Sequence, residues 1–256
     1  MTNDGIQNLF AHRSAAQRYA TARPYFHPLV MDKIVGFTKV AKFGRAIDIA
    51  CGTGLSSRAL TAIADQVAAV DISPEMLAEA LPHERIHYQV SPAERTPFDS
   101  ASFDLATVGL AFHWFDQAAF LREAKRILAL GGWLVIYNSG FLGEMVENPA
   151  FRAWGVDLYQ RQFPTPARRS FGITGELAEE VGLSLVGNES FTHFETMTAE
   201  QLTSYLLTQT NVIAAVEAGS MPLAEAASWI ATGAAPYFRD QPGTMKFGGT
   251  IWYLSA

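Results

Sequence analysis

From Arg45 to Asn138, short apolar runs alternate with single helices, and few folds accommodate that alternation. Ala46-Ile47-Asp48-Ile49-Ala50 is the first run and ends in Gly52-Thr53-Gly54. A helix over residues 55–63 follows, then a second buried strand over 67–70 closed by Asp71. Ser73-Pro74 supplies an N-cap and a first helical residue for a helix over 75–81. Residues 86–90 and 103–110 read as the third and fourth strands. Asp116 can cap a helix whose Phe120, Leu121, Ala124, Ile127 and Leu128 form one apolar stripe; Gly131-Gly132 stops it, and 133–137 makes a fifth strand. Strands that are nearly continuous apolar runs, separated by single helices, imply a mostly parallel sheet covered on both faces. The expected fold is therefore α/β and doubly wound.

Beyond residue 138 the rhythm changes. Pro149, Pro164 and Pro166 interrupt a stretch that also carries Phe151, Trp154 and Tyr159, large rings that need something to cover. Residues 139–170 read as a helical, lid-like insertion. Helix resumes over 175–181, and 183–186 and 191–195 look extended. Thr198 with Gln201 resembles a capping box, opening one helix with Leu202, Tyr205, Leu206, Val212, Ile213 and Val216 on one side. A further helix covers 223–230, and 245–254 alternates enough to be a last strand. The organisation expected is a single domain over 1–256: a helical N-terminal cover (1–44), a core (45–138), the insertion (139–170), and C-terminal helices and last strands (171–256).

Composition narrows the function classes. A net charge of -6 and the lack of a Lys/Arg block argue against nucleic acid and an anionic membrane as partners. A single Cys excludes an internal disulfide. Residues 1–10 lack the basic and apolar stretches of a signal peptide, and no run reaches the roughly 18 apolar residues that cross a bilayer. The expectation is a cytoplasmic protein, monomer or homodimer.

The chemistry concentrates where the first strand meets its helix. Glycines there let the backbone turn sharply and approach a ligand that a Cβ would exclude, and the helix offers free N–H groups. Asp71 ends the second strand about twenty residues on, where a carboxylate can accept from both hydroxyls of a ribose. Together these point to an adenosine-containing cofactor. A carboxylate at Asp48, just before the glycines, would repel a pyrophosphate, but it suits the ammonium of a sulfonium amino acid, held directly or through water. The charge argument favours S-adenosylmethionine over NAD. His83-Glu84-Arg85-Ile86-His87 has the letters of a zinc-protease motif, yet that motif works on a helix and this stretch runs into a strand. No metal is expected.

These residues resemble the class I S-adenosylmethionine-dependent methyltransferases. Asp48 to Gly54 looks like their first motif and Asp71 like the acid on the ribose. Ala93-Glu94-Arg95-Thr96-Pro97-Phe98 followed by Ser102-Phe103-Asp104-Leu105 resembles their adenine-edge segment and fourth strand, and Arg126-Ile127-Leu128 with Gly131-Gly132 the approach to their fifth. The resemblance covers about residues 19–138. It implies a Rossmann-like, seven-stranded sheet with an antiparallel last strand. Ala111-Phe112-His113-Trp114-Phe115-Asp116 is similar to the segment after the fourth strand in trans-aconitate methyltransferase-like proteins. One departure stands out: the acid common before the Ala-Glu pair is Pro92 here, leaving Ser91, Glu94 or water for the adenine amino group.

The resemblance implies methyl transfer from S-adenosylmethionine to a small-molecule acceptor, a carboxylate oxygen ahead of nitrogen or carbon, with S-adenosylhomocysteine as product. Its alternatives are a module that binds either sulfur ligand without transfer, and an NAD-dependent oxidoreductase. The implied cofactor residues are Tyr19, Arg23, Asp48, Ala50, Gly52, Gly54, Asp71, Ile72, Met76, Ala93, Glu94 and Leu110, with Arg23 on the cofactor's carboxylate. His113 is the candidate base. His113, Trp114, Trp154 and Tyr159 are the candidate acceptor contacts.

Overall fold

The computed structural model describes residues 13–166 and 172–256, with side chains from Ala16 onward. The end of the expected insertion and the stretch tested for a signal peptide lie outside the described residues. In chain order the elements are α1 (Arg13–Ala22), α2 (His27–Thr38), β1 (Phe43–Ile49), α3 (Leu55–Leu60), β2 (Ala64–Asp71), α4 (Pro74–Ala78), β3 (Ile86–Val90), β4 (Phe103–Gly109) and α5 (Gln117–Ile127). They continue as β5 (Leu128–Tyr137), β6 (Gly140–Met145), α6 (Tyr159–Gln162), α7 (Gly175–Glu179), β7 (Ser184–Met197), α8 (Ala199–Leu206), α9 (Thr210–Glu217), α10 (Leu223–Ala234) and β8 (Gly243–Ser255).

The strands order as β3-β2-β1-β4-β5-β8-β6, and β7 also pairs with β8. β1 to β5 are mutually parallel, as expected, with helices in every connection but that from β3 to β4. β8 runs antiparallel to β5, with Leu134 opposite Leu254. The sheet thus has eight strands rather than seven.

The chain forms two compact units. The core unit comprises 25–138, the described part of 168–191, and 249–256; the accessory unit comprises 13–24, 139–166 and 192–248. In the core unit alternate residues of one strand feed different hydrophobic clusters. On β5, Leu134 and Ile136 join Phe120, Leu121 and Ile127 of α5, whereas Val135 and Tyr137 join Val30, Met31 and Ile34 of α2. Successive side chains on a strand point to opposite faces, so this division shows why β5 is apolar at every position. The accessory unit has its own core of Phe151, Trp154, Phe163, Leu202, Tyr205 and Ile230, among others.

Three expectations need correction. The insertion is not wholly helical: residues 140–145 form β6, which pairs with β8 through an irregularity between Phe141 and Glu144. The helix expected to run on from Thr198 breaks into α8 and α9. The capping box on Thr198 and Gln201 does open α8, but the Thr208 hydroxyl donates to the Tyr205 carbonyl at 2.6 Å, a side-chain bond that competes with helix continuation. Finally, the two extended pieces around residues 183–195 are one strand, β7. Gly187 in its middle is accommodated because a Cβ there would come within 3.1 Å of the Phe37 ring.

Candidate cofactor site

At the carboxyl end of β1 the chain turns through Ala50, Gly52 and Gly54, all with positive φ (56°, 57° and 79°). Glycine adopts this region without strain, but alanine does not. A second strained residue, Leu110 (φ 62°), ends the neighbouring strand β4. Left-handed non-glycine residues cluster at functional sites, and ligands of open α/β sheets bind outside the carboxyl ends of the strands. Ala50 and Leu110 mark that edge.

Asp71 closes the turn from the adjacent strand. Its Oδ2 accepts the Gly52 N–H at 2.8 Å and its Oδ1 the Ser73 N–H at 2.9 Å. Each carboxylate oxygen has a further acceptor position. Burial raises the Asp71 pKa, against the pull of these backbone donors. Ser73 caps α4 by accepting the Met76 N–H at 3.2 Å. Met76 is buried with its methyl group under Gly52, whereas Ile72 beside Asp71 is 63% exposed.

Asp48 lies on β1, just before this turn. It is fully buried, and its Oδ2 accepts the hydroxyls of Ser56 and Ser57, each at 2.6 Å, while Oδ1 accepts that of Thr107 at 3.1 Å. These donors come from α3 and β4, so Asp48 fastens the turn to the elements on either side. Burial pushes its pKa up to about 6, despite the three hydroxyls. Cys51 is buried in the same turn, its thiol pKa raised by burial and by the charges of Asp48 and Asp71, which makes it a poor nucleophile.

Two polar atoms beside the glycines have no hydrogen-bond partner among the described residues: the buried hydroxyls of Thr53 and Tyr88. Tyr88 reaches over from β3, and its hydroxyl lies where a Cβ on Gly54 would have to go. Burial, and then the nearby Cys51 and Asp48, raise its pKa to about 12, so it remains a donor at neutral pH. Buried hydroxyls without a partner are costly, and these two flank one glycine turn.

A family model described as a methyltransferase domain matches residues 47–136. An uncharacterized methyltransferase of Mycobacterium tuberculosis is 30% identical over 190 residues, covering 70% of this chain and 76% of that protein. The chain belongs to the class I S-adenosylmethionine-dependent methyltransferases. A Dictyostelium discoideum protein named as a methyltransferase is 34% identical over 105 residues, but the match spans only 40% of its length. In fold, the chain is similar to a solved protein from Anaeromyxobacter dehalogenans named as a type II methyltransferase, with a TM-score of 0.67, 22% identity, and coverage of 87% of this chain and 94% of that one.

In this methyltransferase the segment after β3 is tied down by a buried carboxylate that the sequence reading missed. Glu123 on α5 accepts the Thr96 N–H at 2.7 Å and its hydroxyl at 2.6 Å, and pairs with Arg126 at 2.7 Å. Arg126 in turn donates to the Phe98 carbonyl at 2.8 Å. Burial alone would raise the Glu123 pKa, but the bonds from Arg126 and Thr96 more than offset it and leave it lowered. Ala93 is buried in the segment so fixed, and Glu94 accepts the Asp116 N–H at 3.0 Å. The Ser91 hydroxyl is turned onto the carbonyls of Pro92 and Arg95, at 3.1 and 3.3 Å.

His113 and Trp114 form a short 3-10 turn after β4, their rings 4.7 Å apart. Leu110, Ala111, His113, Tyr137 and Asn138 lie together at this edge. His113 is buried and Trp114 partly exposed.

The remaining expected residues belong to the accessory unit. Arg23 donates to the Thr208 carbonyl at 2.9 Å, a group freed by the break between α8 and α9, and its guanidinium lies over the rings of Tyr19 and Tyr205. Trp154 and Tyr159 are core residues there: Trp154 stacks on Trp229 at 6.0 Å, and the Tyr159 hydroxyl donates to Asn211 at 3.2 Å. His83 and His87 of the zinc-like pattern fall on a turn and on β3; the His83 ring accepts the Arg85 N–H at 3.2 Å.

The buried Asp48 makes stability pH-dependent with a defined sign. Between the unfolded pKa near 3.8 and the folded value of about 6, the native state binds more protons than the unfolded chain. Stability therefore falls as pH rises through this window, by up to about 3 kcal/mol from this group. Asp48→Asn is expected to remove that slope. Denaturant unfolding of both proteins from pH 4 to 7 checks it: parallel wild-type and variant profiles would show that Asp48 is not buried as a titrating acid.

Proposed function

We propose that this methyltransferase uses S-adenosylmethionine to methylate a small-molecule acceptor, with a carboxylate oxygen as the first acceptor to test. When bound, the cofactor supplies an activated methyl group on a sulfonium. The observation that carries the reading is the grouping of Asp71 with the unpartnered hydroxyls of Thr53 and Tyr88 around one glycine turn.

Asp71 would accept the ribose hydroxyls at its remaining acceptor positions, and exposed Ile72 would cover an apolar ring beside it. Thr53 and Tyr88 supply two donors suited to the carboxylate end of the methionine portion. This leaves Arg23 on the carbonyl that it caps, and it leaves Asp48 to position the turn rather than to touch the ligand. Positioning matters here, because a methyl group on a good leaving group needs chiefly alignment and exclusion of water. His113 and Trp114 would face the acceptor. His113 would take a proton from a hydroxyl or amine, whereas a carboxylate needs no base.

Calorimetric titration with S-adenosylmethionine, S-adenosylhomocysteine and NAD tests the cofactor. Micromolar binding of both sulfur ligands and none of NAD is expected, followed by a screen of small carboxylic acids as acceptors. Absence of binding by either sulfur ligand overturns the reading.

A further inference from the structure

The accessory unit holds a second constellation of reactive side chains. His193 and Glu195 lie two residues apart on β7 and so share one face of the strand. Glu195 Oε1 is 3.0 Å from Nδ1 of His193, and Ser139 Oγ is 2.9 Å from its Nε2. A carboxylate only accepts, so Nδ1 carries the proton facing Glu195. In the neutral ring Nε2 is then the acceptor for the Ser139 hydroxyl. The imidazole is buried and stacked on Phe247, with centroids 4.9 Å apart and planes at 19°, which fixes its orientation.

Nucleophile, base and orienting acid at hydrogen-bond distance are the geometric signature of an activated hydroxyl, recognised by roles rather than by chain order. Ser139 is partly exposed, unlike His193. A Cβ built on the neighbouring Gly140 would meet no atom within 4 Å outside residues 139 to 141, so the chain beside Ser139 is open at that position. Phe141 and Tyr205 pack around Phe247 at 5.6 and 5.3 Å, making the surroundings apolar.

We propose that Ser139 is a nucleophile, activated by His193 and oriented by Glu195, that accepts acyl groups from carboxylic esters with an apolar acyl chain. Oγ bonds to the carbonyl carbon, its proton passes to His193 Nε2, and that proton leaves with the departing alkoxide as the ester bond breaks. Water then attacks the acyl-serine, giving up a proton to His193, which returns it to Oγ as the acid is released. The sum is ester plus water giving acid plus alcohol.

A fluorophosphonate probe reads the nucleophile directly: Oγ displaces fluoride at phosphorus, and the adduct stays on the protein. Full-length protein is incubated with the probe and the site mapped by peptide mass. Labelling of Ser139 is expected, lost in Ser139→Ala and slowed tenfold or more in Glu195→Gln. Thermal melts and S-adenosylmethionine titration of both variants show whether they remain folded and whether the cofactor reading stands apart from this one. No labelling of Ser139 above that of the other serines, or a folded Glu195→Gln protein labelled as fast as wild type, overturns the proposal.

Discussion

Asp71→Ala is expected to weaken S-adenosylmethionine binding by on the order of 100-fold or more. Hydrogen bonds to a charged group contribute roughly 1.5–3 kcal/mol each, and two ribose hydroxyls are proposed to share this carboxylate. The same substitution leaves the N–H groups of Gly52 and Ser73 without their acceptor, so a modest loss of stability, on the order of 1–2 kcal/mol, should accompany it. Asp71→Asn keeps one acceptor oxygen but turns an amide N–H onto the other backbone donor, so it should fall between wild type and alanine in affinity and also lose part of the stability. Calorimetry at neutral pH provides the numbers, and unchanged affinity in a folded Asp71→Ala protein would remove Asp71 from the site.

The largest expected loss of stability belongs to Glu123→Ala. Breaking a buried ion pair from one side costs about 3–5 kcal/mol because the partner is stranded. Arg126 is more exposed than Glu123 (36% against 8% of the side chain) and can recover some hydration, which places the expected cost near 3 kcal/mol. The Thr96 N–H and hydroxyl lose their acceptor as well. Glu123→Gln should recover part of the loss, since an amide oxygen can still accept from Thr96. Denaturant unfolding midpoints of the three proteins decide the order. A Glu123→Ala protein as stable as wild type would mean that the segment from Ser91 to Phe98 is held by something else.

The parallel half of the fold was legible because its strands are buried on both faces. Apart from Asp48, Ala46 to Ala50 and Val67 to Val70 are apolar at every position, and each ends in residues with a clear backbone or chemical role. Edge elements lacked that signal. β6 begins with glycine and has a second glycine at its irregularity, so its strand character comes from pairing with β8, more than a hundred residues later. The cofactor residues followed a similar division. Gly52, Gly54 and Asp71 announce themselves by spacing, whereas the sealing of Asp48 depends on hydroxyls eight, nine and fifty-nine residues away. The charge argument for Asp48 recognised an acid beside the glycines but not the donors that surround it. Ser139, His193 and Glu195 were equally invisible, because a serine fifty-four residues from its histidine has no motif.

The position of β8 in the strand order has a consequence for biosynthesis. Of the described strands, the last in chain order is the one that sits between β5 and β6. Until it arrives, β5 presents Leu134 to Tyr137 as an open, wholly apolar edge, the kind of edge that recruits other chains. A ribosome that stalls or terminates before Gly243 therefore releases a chain with nearly all of its site residues in place and an adhesive flank. The thirteen residues of β8 thus decide whether the Leu134 to Tyr137 edge is covered.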